Sequence, residues 1–279
     1  NAASISTADK IYMLIKPGTH TLKVRYWIKD YVTNVEGTIT KALPSYNYAK
    51  NTYYDMTANL EVKNYDGDHY YMWDAQEQYW KGYEWTKHLA PGTGQPTLGG
   101  DPAGNYAEND GDVSRWFHKG GGSGRFDATQ SCVTLPNANE LSWYCMYGDP
   151  RWDADELWTT MGHLYKGGMW FKKKAYISGF NANTAVDGTD WRINAYAQAW
   201  PVSNTPPSAA IVNNYFYLPA LGYYEVDKLN FVGSYGYYWS STANSKNTTD
   251  GWDLGFASSF VGVYGNNRNL GCRVLPTFE

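Results

Sequence analysis

Residues 135–165, LPNANELSWYCMYGDPRWDADELWTTMGHLY, carry the strongest helical signals in the chain. Asn137 can cap a helix N-terminus through its side-chain oxygen, and Glu140 stands three residues on, the spacing of a capping box. Leu141, Tyr144 and Cys145 then share one face, and Gly148 supplies a stop. A second helix is expected around residues 153–165, with Asp153 or Asp155 at its start. There Leu157, Met161 and Leu164 form an i, i+4, i+7 stripe.

Outward from these helices the pattern turns to short strands. Downstream, GGMWFKKKAYI, YFYLPALGYY, GYYWSST, WDLGFAS, FVGVYG and GCRVLP are joined by Gly, Asn and Ser turns. Upstream, GDHYYMWDAQEQYWKGYEW at 67–85 opens like a strand and runs into a Gly- and Pro-rich stretch. Residues 10–65 alternate with period two through KIYMLIKPGTHTLKVRYWIKDY, EGTITKAL and NTYYDMTANLEVKNY, which predicts about four antiparallel strands. The expected fold class is therefore α+β in two unequal domains. Residues 1–65 form a small all-β sandwich-type segment, the closing part of a larger domain, and residues 66–279 form a two-helix domain with a long surface loop at about 87–125.

Composition removes several functions. The 279 residues carry a net charge of −4, so no cationic footprint exists for a phosphate backbone and nucleic acid is not an expected partner. No stretch approaches the roughly 18–20 apolar residues of a membrane span. Cys132, Cys145 and Cys272 are too few for a disulfide framework and too dispersed for a zinc knuckle. They read as buried thiols, with one bridge between Cys132 and Cys145 as the alternative. Aromatic content is high at 17%, led by 26 Tyr and 13 Trp, more than a core alone needs.

The segments LPNANELSWYCMYGD, GGMWFKKKAYI, YFYLPALGYY, GYYWSST and GCRVLP together resemble the exported C-type-lectin-fold proteins of Bacteroidetes, in the branch that includes the formylglycine-generating enzymes. LPNANEL stands where that branch has LPTEAEW, and Gly271-Cys272-Arg273 where it has Gly-Phe-Arg. The resemblance spans about residues 66–279 and implies a C-type-lectin-like domain of short twisted sheets. Through GTHTLKVRYWIKDY and YYDMTANLEV, residues 1–65 resemble fimbrillin-like surface proteins. Both imply export and a place at the cell surface, outer membrane or fimbriae, with membrane contact only through an N-terminal anchor preceding this sequence.

Chemistry is thinly signalled. The formylglycine-generating relatives use paired reactive cysteines and copper, whereas Cys272 stands alone at a scaffold position, which disfavours that oxidase activity. His20, His69, His88, His118 and His163 lack metal-ligand spacing. The acidic runs DPRWDADE and ENDGDVSRW do not match a calcium loop, so no cofactor is expected and calcium has no motif to support it. No feature promotes a particular carboxylate pair for hydrolysis.

Binding remains, and residues 236–276 suit it. Tyr and Trp give large contact area at low rotamer cost, while Asn, Ser and Gly give adaptable hydrogen bonds. Asn244, Asn247, Trp252, Asp253, Tyr264, Asn266, Asn267, Arg268 and Asn269 are the predicted ligand-binding residues. Their composition also resembles the variable region of retroelement-diversified lectin-fold proteins. The expected function is noncatalytic recognition or adhesion toward a protein or glycan on host or bacterial surfaces. A structural fimbrial subunit, an oxidase and a hydrolase are the alternatives.

Overall fold

The computed structural model describes residues 13–55, 59–84 and 104–274. Much of the expected 87–125 loop therefore lies outside the described residues. In chain order the elements begin with β1 (Gly18–His20), β2 (Lys23–Lys29), β3 (Glu36–Ala42), β4 (Tyr46–Tyr48), β5 (Lys63–Tyr65) and β6 (Tyr70–Tyr71). Then come α1 (Ala138–Tyr147), β7 (Arg151–Thr160), β8 (His163–Lys172), α2 (Trp191–Asn194), β9 (Gln198–Trp200) and β10 (Tyr215–Pro219). The chain closes with β11 (Tyr223–Glu225), β12 (Lys228–Asn230), β13 (Gly236–Ala243), β14 (Asp250–Ala257), β15 (Phe260–Asn267) and β16 (Cys272–Arg273).

These elements fall into two compact units. One runs through Tyr65 and includes Leu157–Tyr165; the other is Asp66–Glu156 with the chain from Lys166 onward. In the first, β2 and β3 form a seven-pair antiparallel hairpin, β1 pairs with β4, and β5 runs parallel to the end of β7 through Lys63↔Trp158. The Trp158 ring stacks on Tyr165 at 5.2 Å and meets Tyr65 edge-on. Asp30 ties the hairpin end down by accepting from the Leu164 amide at 2.9 Å, beside the His163 ring at 3.1 Å. Burial works against the Asp30 carboxylate, yet the amides of Leu164, Val32 and Thr33 hold its pKa below the usual value.

In the second unit a six-stranded sheet runs in the order β6-β16-β13-β14-β15-β9. Its strands alternate with period two. One face carries Tyr238, Leu254 and Phe256, joined through Phe171 and Phe216 to Tyr144 of α1 by ring contacts of 5.4–6.1 Å. On the other, Trp239 and Cys272 pack with Trp73, Cys132, Leu135 and Val274.

Helix α1 starts as its cap predicts. The Asn137 side chain accepts from the Glu140 amide, and Glu140 returns a bond to the Asn137 amide at 2.9 Å. The second expected helix does not form. Residues 151–172 are the β7–β8 hairpin, turning at Met161 and Gly162 with φ of 50° and 80°. Positive φ at both central residues defines the type I′ turn, whose twist matches paired strands. Trp158 and Thr160 are buried in alternation, so period two governs where the Leu157, Met161 and Leu164 stripe suggested 3.6. The α+β, C-type-lectin-like class is corrected accordingly: the described residues are mostly β, 37% strand against 9% helical, with α2 a single turn.

Candidate ligand-binding cleft

The nine predicted residues separate into three environments. Asp253 sits directly opposite Tyr264, and Asn266 is two residues farther along β15, so the three share a sheet face. Asn266 Nδ2 donates to Asp253 Oδ2 at 2.8 Å. The Tyr264 ring lies across two glycines: a Cβ at Gly255 or Gly262 would come within 2.8 Å of it. Beneath that ring Asp253 is 0% exposed, and its Oδ1 has no hydrogen-bond partner among the described residues. Burial pushes its carboxyl well above the usual range, against the bond from Asn266. Asp253 is thus an acid inside a sheet, where burial favours its protonated form.

Trp252 faces the other way and is 4% exposed, with Asn244 approaching it over Gly265. Asn247 stands exposed in the β13–β14 turn, where its side chain accepts from the Thr249 amide. Arg268 is 0% exposed; its guanidinium lies 4.6 Å from the Trp73 ring centre and 5.6 Å from that of Phe126. It donates to the carbonyls of Asp250, His118 and Gly120 at 2.9–3.2 Å. Burial lowers its pKa to about 10, with Asp250 and Asp74 opposing. A display role is therefore closed to Trp252, Asp253 and Arg268, whose side chains build the interior.

Of the nine, Asn267 and Asn269 line a cleft of about 270 Å³. They arrive on the turn after β15, which is closed by the Leu270 amide bonding the Asn267 carbonyl. The turn is pinned on both sides: Trp73 N–H donates to Arg268 O, and Gly271 and Tyr224 exchange backbone bonds at 2.8 Å. Tyr79, Tyr106, Trp116, Glu108 and Glu225 line the cleft with Asn267 and Asn269. Among the described residues no Lys, Arg or His lines it.

Residues 105–118 bring the aromatic wall. Arg115 donates to Asp112 Oδ2 and to the Asn105 carbonyl, each at 2.8 Å, and its guanidinium lies 5.2 Å from the Tyr83 ring centre. That clamp, with the Trp116 amide bonded to Asp112 O, sets the wall between Asn105 and Trp116. Farther along, Asp74 accepts from the amides of Thr129, Gln130 and Cys132 at 2.8–3.0 Å and contacts the His118 ring at 2.7 Å. The remaining rim is the β11–β12 turn, where Val226 takes φ 57° and its carbonyl receives the Tyr79 hydroxyl at 2.8 Å. A β-branched residue there is strained by about 1–3 kcal/mol. The Tyr79 pKa is raised by burial first, then by Tyr106, Asp227 and Glu225, as a negative surrounding requires.

Sequence reading missed Tyr79, Tyr106, Glu108, Trp116 and Glu225. The run ENDGDVSRW had been read only for calcium; its Arg115 and Trp116 were the available signal. All three cysteines are free and buried, and burial raises each thiol's pKa. Cys132 and Cys145 are not bridged, so the alternative pairing is not made. Among the described residues no three His, Cys, Asp or Glu side chains gather closely enough for a metal, and no helix is long and apolar enough to cross a membrane.

A family described as a domain of unknown function (DUF8237) matches residues 207–276. The match covers β10 to β16, including Glu225, Asn267 and Asn269, but not the aromatic wall. Neither a curated protein nor a solved structure matches the chain.

Proposed function

We propose that the C-terminal unit is a noncatalytic recognition module that holds a small polar group, borne by a glycan or a protein, in the cleft beside Asn267 and Asn269. One observation carries this reading: three aromatic residues, two asparagines and two glutamates line one concavity. Its walls are fixed by buried anchors at Arg268 and Arg115. Concave sites that combine ring surface with a few directed polar groups are a usual form of small-ligand site. Rings supply stacking area and the amides directional bonds, a division of labour suited to sugars and side chains alike. Export and surface display, implied by the sequence resemblances, belong to the same proposal.

A glycan array and a pull-down from surface proteins, run with the native chain and with Trp116→Ala, test it. Retention of ligands by the native chain and their loss by a folded variant is the expected result. Retention by both, or by neither, would remove the cleft from recognition.

The carboxylates also favour a second reading, glycoside hydrolysis, because Glu108 and Glu225 both line a cleft that aromatic residues line too. Release of reducing ends from polysaccharides by the native chain, absent in Glu225→Gln, would establish it.

A further inference from the structure

Among the described residues, neither glutamate of the cleft has a basic neighbour in its lining. Glu108 and Glu225 are both exposed on its rim. Lys228, the cross-strand neighbour of Glu225, is exposed and does not line the cavity. A neutral sugar would gain hydrogen bonds from two carboxylates but would leave their charges uncompensated in a narrowing site. An organic cation would satisfy both the carboxylates and the rings, because a ring face carries negative quadrupole density that attracts an ammonium within about 6 Å.

We propose that the group held in this cleft is an alkylammonium, seated on Trp116 and Tyr106 and neutralised by Glu108 and Glu225. This rests on the recognition reading and names the chemistry it would recognise. The same ammonium is offered by an amino sugar, a lysine side chain or a choline head. The cavity of about 270 Å³ accommodates such a head together with the first carbons that bear it. Asn267 and Asn269 then bind the hydroxyl or amide next to the cation.

The test pairs each cation with a neutral partner of similar shape: glucosamine with glucose, Nα-acetyl-lysine amide with its Nε-acetyl form, and choline with 3,3-dimethylbutanol. Affinities are read by ligand-observed NMR and calorimetry on the full chain. At least one cation should bind about tenfold or more tighter than its partner, a ratio within reach of a partly desolvated cation on rings. The winning pair identifies the source. Glu108→Gln with Glu225→Gln, both surface changes that leave the fold intact by thermal melting, should erase that preference, and Trp116→Ala should abolish binding.

Equal binding within every pair, or no binding by any member, overturns the ammonium assignment. The array and pull-down then decide the recognition reading separately: a Trp116-dependent signal there keeps the cleft and discards only its cation.

Discussion

Trp252, Asp253 and Arg268 lie within twenty residues of Asn267 and Asn269, in one polar and aromatic run, yet the first three are sealed inside the sheet and the last two open onto the cleft. Composition is the same in both regions. What separates them is packing: β14 places Trp252 and Asp253 on its two buried faces and Arg268 turns inward onto Trp73 and Phe126, whereas Asn267 and Asn269, on either side of Arg268, stay exposed. Polar residues can therefore serve as interior parts, Arg268 through carbonyls and ring faces and Asp253 through its bond from Asn266, without taking part in display.

The strongest way to break the distinction is at Trp252. Trp252→Ala should cost about 3–5 kcal/mol in urea unfolding, the range of a large buried aromatic. A loss below about 1 kcal/mol would return Trp252 to the surface.

Asp253→Asn sharpens it next. The raised folded pKa means the native state keeps a proton that the unfolded chain releases above its ordinary value near 3.8. The native stability contribution is thus full below that pH and falls as pH rises toward the folded pKa. Asn carries no such proton, so Asp253→Asn should be more stable than the native chain at pH 7, with the gap closing toward pH 4. Each unit between the two pKa values amounts to about 1.4 kcal/mol. Parallel stability–pH curves would show an ionised, solvated Asp253.

A smaller effect tests the hairpin that replaces the expected second helix. Gly162 has φ 80° and open space around a built Cβ. Gly162→Ala should therefore destabilise by about 1 kcal/mol through backbone strain alone. In a helix the same change would stabilise by a similar amount, so the sign of the Tm shift decides.

These cases show what was legible in the sequence. The α1 start was, because Asn137 and Glu140 act on each other across three residues and need nothing distant. The hairpin was not, because Leu157, Met161 and Leu164 satisfy a helical stripe while the decisive fact is left-handed φ at Met161, a residue with no marked preference for it. Alternation predicted about four antiparallel strands in residues 1–65, where five form, and it gave no sign of the parallel partner of β5 almost a hundred residues on. Of the cleft only Asn267 and Asn269 were found. Tyr79, Trp116 and Glu225 join them through long-range bonds such as Tyr79 to Val226 and Trp73 to Arg268, which no local pattern encodes.

The central claim is that the cleft, and not the sheet interior, recognises the ligand. Probing one glycan and peptide array with the native chain, Trp116→Ala and Asn247→Ala tests it most directly, with the Tm of each measured alongside. The account predicts that Trp116→Ala loses the native spots while melting within a few degrees of the native chain, and that Asn247→Ala keeps them. Spots that survive Trp116→Ala and vanish with Asn247→Ala would contradict it, and would place recognition at the β13–β14 turn.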